Sequence, residues 1–124
     1  MKKTMFIVPH GTYKFDVMVC IGTTDETLHK ELHRRGVKLT QEDKEILKLR
    51  GDGRTVMLDG GQTVIRVRPQ KNKAAFRGSL AHEIFHAVEF LFSRIGIQHD
   101  FEKSGEAFAY QIGHLTEQIY AQLS

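Results

Sequence analysis

The chain has one cysteine, two prolines and no tryptophan. A single thiol, Cys20, excludes an intramolecular disulfide and fits a reducing compartment. It lies in a strand-like run, where a cysteine reads as a small buried hydrophobe rather than a nucleophile. With so little proline and no low-complexity run, nothing reads as a linker, and no internal repeat is present. No apolar run approaches the ~18 residues of a membrane span. Behind Met1-Lys2-Lys3 the apolar stretch Met5 to Val8 stops at Pro9 and His10, too short for a signal-peptide core. The expectation is a cytoplasmic protein with no signal peptide, no transmembrane segment and no membrane partner.

A large excess of one sign of charge is also lacking. Eighteen basic residues face fifteen acidic ones, a net charge of +3. The densest basic set, Arg66, Arg68, Lys71, Lys73 and Arg77, is interrupted and carries no nucleic-acid-binding motif, so nucleic acid is not an expected partner. What is present is enough apolar material, 40% of 124 residues, for one core. Residues 1–124 therefore read as a single domain.

The first half of the chain suggests strands and short helices. Met5 to Val8 is a short apolar run. From Tyr13 to Ile21 the residues alternate, with Tyr13, Phe15, Val17, Val19 and Ile21 on one face and Lys14 and Asp16 on the other. Asp25 can cap a helix to about Arg35, stopped by Gly36. Thr40 can cap a shorter one through Ile46, Leu47 and Leu49, with acidic residues in its first turn. Thr55 to Leu58 and Thr63 to Arg68 flank Asp59-Gly60-Gly61 and read as a β-hairpin, ended by Pro69. Gly78-Ser79 then opens a helix from Leu80 to Ile95, closed by Gly96. Ser104 can cap a last helix to about Leu123. Strands first and two long helices after suggest an α+β fold, with the helices packed on one side of a small sheet that carries an edge hairpin.

The chemistry lies in the first long helix. His82-Glu83-Ile84-Phe85-His86 is an HExxH motif, a signature of zinc peptidases. Residues four apart on a helix stand one above the other, so two imidazoles can bind one ion. A catalytic zinc keeps a position open for water and lowers its pKa to ~7. Glu83 is placed to take that proton. At roughly 100° per residue, Leu80, Ala81, Ile84, Phe85, Ala87, Val88, Leu91, Phe92 and Ile95 form one apolar arc, with His82 and His86 opposite. A third ligand must come from downstream, where Glu102, Glu106, His114 and Glu117 are candidates. Glu106 is favoured because it lies in the first turns of the last helix, outside its apolar stripe. Gly113 there would let two helices approach closely, and Tyr110 could place its hydroxyl in the cleft. A second pair, His29 and His33 with Glu26, has similar spacing but lies on a strongly polar helix and reads as a charged surface. His10 and His99 read as loop histidines.

HExxH followed by a glutamate on the next helix resembles the gluzincin type of zinc peptidase. The 20-residue step from His86 to Glu106 is similar to that of thermolysin-like enzymes. The small size and the segment Gly105-Glu106-Ala107-Phe108-Ala109-Tyr110 resemble minigluzincins and small phage-encoded zinc-peptidase-like proteins, and more distantly the ImmA/IrrE type. The resemblance covers about residues 54 to 123. It implies a zincin-like fold and one zinc ion per chain held by His82, His86 and Glu106. It also implies Glu83 as general base and a peptide or protein substrate laid along Val64, Ile65, Arg66, Val67 and Arg68 as a cleft-edge strand. The pattern has no evident downstream histidine for transition-state stabilisation, which leaves Tyr110 or an arginine. Three functions follow as alternatives: a zinc-dependent metallopeptidase, a non-catalytic zinc-stabilised accessory or virion module, or a toxin or regulator that acts on one host protein.

Overall fold

The computed structural model describes residues 4–11, 13 and 15–123. Met1, Lys2, Lys3 and Lys14, which entered the sequence reading, lie outside them. Among the described residues the fold is α+β, with a four-stranded mixed sheet and four helices. In chain order the elements are β1 (Thr4–Pro9), β2 (Asp16–Ile21), α1 (Asp25–Arg34), α2 (Gln41–Leu47), β3 (Gly53–Met57), β4 (Thr63–Val67), α3 (Lys73–Arg94) and α4 (Gly105–Leu123). No helix among the described residues is long and apolar enough to cross a membrane.

The sheet runs β1-β2-β4-β3. β1 and β2 pair antiparallel, as do β3 and β4, and the two pairs join through a parallel β2–β4 contact. The expected hairpin is present: Leu58 N–H donates to Gln62 O at 2.8 Å, and Gly61 turns with φ 93°. A side chain at Gly61 would also strike the Phe15 ring, 2.8 Å from where its Cβ would stand.

Both faces of the sheet are covered, which corrects the expectation of helices on one side only. Val17, Val19, Ile21, Ile65 and Val67 pack against Leu80, Ile84, Val88 and Leu91 of α3 and Phe108, Leu115 and Ile119 of α4. Met18, Cys20 and Val64 point the other way, against Leu28 and Leu32 of α1 and Leu47 of α2. The alternation in β2 is real, with Tyr13 and Phe15 continuing it onto the α3 side. Its second face is buried as well, because α1 turns its only buried residues, Leu28 and Leu32, onto it. Cys20 is sealed in this layer, and burial pushes its thiol up to about 12.

The helix termini follow capping chemistry. Thr24, rather than Asp25, caps α1 by accepting from Thr27 N–H. Thr40 and Asp43 form a reciprocal capping box at α2. α3 starts at Lys73, a full two turns before the expected Leu80, because Asn72 caps it through Ala75 N–H at 3.0 Å and Phe76 buries in the core. Gly78 is therefore an interior helix residue. Ser104 precedes α4 as expected, but its hydroxyl accepts from Asp100 N–H at 2.7 Å and so ties the preceding loop.

Candidate metal centre

α3 lies under β3 and β4 and presents three faces. Ile84, Val88 and Leu91 enter the core, Glu83 turns toward β3, and His82 and His86 point away from the core. Ala81, Phe85 and Ile95, counted in the apolar arc from sequence, are exposed instead, Phe85 by 40% and Ile95 by 38%.

The two imidazoles converge. Their Nε2 atoms stand 3.1 Å apart and their rings cross edge to face at 4.7 Å. Two nitrogens at ~2.0–2.1 Å from one tetrahedral zinc would be roughly 3.3 Å apart, so this pair fits one ion. His86 Nδ1 donates to Glu89 Oε1 at 2.8 Å. That bond holds neutral His86 in the tautomer whose Nε2 lone pair faces His82.

Glu83 is 5% exposed and is held from the sheet. Thr55 Oγ1 on β3 lies 2.7 Å from its Oε1 and 3.1 Å from its backbone oxygen. Gly53, also on β3, makes room for it: a Cβ there would come within 2.9 Å of Glu83 Cγ and Oε2. Asp52, Gly53, Gly78, Ser79, His82 and Glu83 line an open cleft of about 370 Å³. No described strand pairs with the outer edge of β3, which borders this cleft.

Comparison with protein-family models, with curated proteins and with solved structures finds no match.

The structure does not bring the expected third ligand to the pair. α4 buries Phe108, Gln111, Leu115 and Ile119. At roughly 100° per residue Glu106 and Tyr110 fall on the opposite side, and both are exposed, Tyr110 by 74%. Gly113 is on that side too, and a Cβ there would meet nothing within 4 Å, so it serves no helix contact. The α3–α4 contact is made by Phe92 against Phe108, ring centroids 4.6 Å apart, on a flank of α3 away from both imidazoles. Glu102 and Glu117 are exposed, and His114 Nε2 reaches Pro9 O at 3.3 Å. Among the described residues no three His, Cys, Asp or Glu side chains form a ligand group. The donor set fits a metal in part, with two imidazoles and, among the described residues, no third group beside them.

The strand expected at the edge of the cleft is not an edge strand. β4 is interior, paired with β2 and β3, so its backbone is not open to an added peptide. Val64, Ile65 and Val67 are core residues. Arg66 is 4% exposed and faces α1 and α2, where its guanidinium donates to Asp25 Oδ1 at 2.6 Å and to Leu47 O at 2.9 Å. It fastens the helical layer to the sheet. Arg68, just past the strand, donates to Gly51 O at 3.1 Å.

Sequence reasoning missed Glu89, Thr55 and Gly53. Glu89 was open to reading, since it lies three residues after His86 on the same helix face. Thr55 and Gly53 meet Glu83 only because α3 crosses β3, which no local pattern announces. His10, read as a loop histidine, is 1% exposed. Gln111 Nε2 donates to its Nδ1 at 3.0 Å and to its carbonyl oxygen at 3.1 Å, while its Nε2 is buried without a partner. Burial, with repulsion from His114, lowers its pKa from 6.5 to about 4. His29 and His33 join no ligand group among the described residues.

Proposed function

We propose that the chain is a zincin-like, zinc-dependent metallopeptidase whose metal is held by His82 and His86, with Glu83 as general base. The observation that carries this reading is the 3.1 Å approach of the two Nε2 atoms beside a carboxylate anchored on β3. Zinc, when bound, supplies a Lewis acid for a peptide carbonyl and acidifies water to a pKa of ~7. The chain's own residues do the rest. Glu83 takes the proton of the attacking water and returns it to the leaving amine. Thr55 fixes the carboxylate from behind, and Glu89 fixes the imidazole of His86. An extended peptide would lie along the outer edge of β3, whose backbone groups are available for strand addition.

A second reading, zinc binding without turnover, is favoured by one observation: α4 offers no third ligand. One experiment separates the two. Zinc content and cleavage of a broad peptide library are measured for the wild type, Glu83→Gln and His86→Ala. The peptidase reading expects zinc in the first two only, and cleavage slowed about 10²-fold or more by Glu83→Gln. Zinc binding with no cleavage selects the second reading. Absence of zinc from the wild type removes both.

A further inference from the structure

The His82–His86 pair is half of a site. Zinc takes four donors in a structural tetrahedral site, and α3 supplies two. We infer that a second copy of this chain completes the coordination: two α3 helices meet across a two-fold axis through one zinc ion, each contributing His82 and His86. The inference rests on the metal-binding reading above and names the partner of that same site.

Five features favour a second copy. The donor count closes, since two identical pairs give four imidazoles with no other ligand needed. A two-fold contact is self-complementary, so one surface patch suffices for both partners. The outward side of α3 is also sparsely built: Ala75, Gly78 and Ser93 are small and exposed along the helix on either side of the pair. They leave space for another helix to come near. Phe85 stands 6.1 Å from the His86 ring and gives the contact an exposed apolar border. Charge is balanced as well. One Glu89 from each copy, bonded to its own His86, offsets the two positive charges of the ion. Four imidazoles leave no position for water, so this dimer would be a resting form from which a peptide substrate must displace one copy.

Sedimentation of the full chain tests this, measured metal-free, with zinc, and with zinc followed by EDTA, beside His82→Ala and His86→Ala. The expected result is a monomer without zinc and a species of twice that mass with it. That species carries one zinc per two chains, reverts with EDTA and is lost in both variants. A zinc-loaded monomer would overturn the inference and leave the metal-binding reading standing. So would a dimer that forms without zinc or persists in His86→Ala. A wild type that binds no zinc overturns both. The EDTA reversal needs no variant, and circular dichroism checks that each variant is folded.

Discussion

Glu89 lies one turn beyond His86 and accepts its Nδ1 proton. Such a carboxylate fixes ring orientation and raises ligand basicity, and losing one costs about 10–100-fold in metal affinity. Glu89→Ala should therefore weaken zinc binding by about that factor in a competition assay with a chelating dye, while the fold is unchanged. Equal affinity in the variant would show that the imidazole is held by its neighbours alone. At this scale the sequence was informative about pairs on one helix and misleading about pairs between helices. The convergence of His82 and His86 follows from their spacing, because a helix fixes the relation of residues four apart. Glu106 and Tyr110 were chosen by an argument about which side of α4 was free of the core. Both do lie on that side, but it faces solvent rather than α3. A helix's apolar stripe says which residues turn inward, and says nothing of what stands opposite the others.

Helix α3 begins at a cap rather than at the first run of apolar residues. Asn72 takes the Ala75 amide, and seven residues then precede Leu80, with Gly78 among them. An interior glycine costs about 1 kcal/mol relative to alanine, which the burial of Phe76 on the preceding turns offsets. Asn72→Ala should lower stability by about 1 kcal/mol in urea denaturation. No change would mean that the helix effectively starts at Ser79. The strands carry a related lesson. The hairpin of β3 and β4 was readable from its glycine turn, but its place in the sheet was not. Val64 to Val67 is apolar apart from Arg66, a pattern that suits an interior strand buried on both faces better than an edge. The arginine obscured that signal, since a buried guanidinium with partners on α1 and α2 looks from sequence like a surface cation.

For the whole molecule, the sheet separates two helical layers, and its first strand is tied to the last helix. His10, at the end of β1, is locked to α4 by Gln111. Its pKa lies near 4 rather than 6.5 because burial penalises the charged ring, with His114 adding repulsion. Between those values the unfolded chain binds a proton that the folded chain refuses. Stability is therefore lost as pH falls through that window, and is unaffected by this group above it. Thermal melts from pH 7 to 4 should show that slope in the wild type and a shallower one in His10→Gln. Parallel slopes would mean that His10 carries its proton equally in both states. The α+β class was accessible from the order of elements, and the two-sided cover was not. It depends on α1, a mostly polar helix, committing only Leu28 and Leu32 to the sheet. Beneath that layer sits the chain's one thiol, at Cys20 on β2. With its thiol held protonated and shielded from reagents, alkylation must wait until α1 and α2 lift away. The rate of its labelling is thus a native clock for the opening of one half of the molecule, with no probe to be engineered.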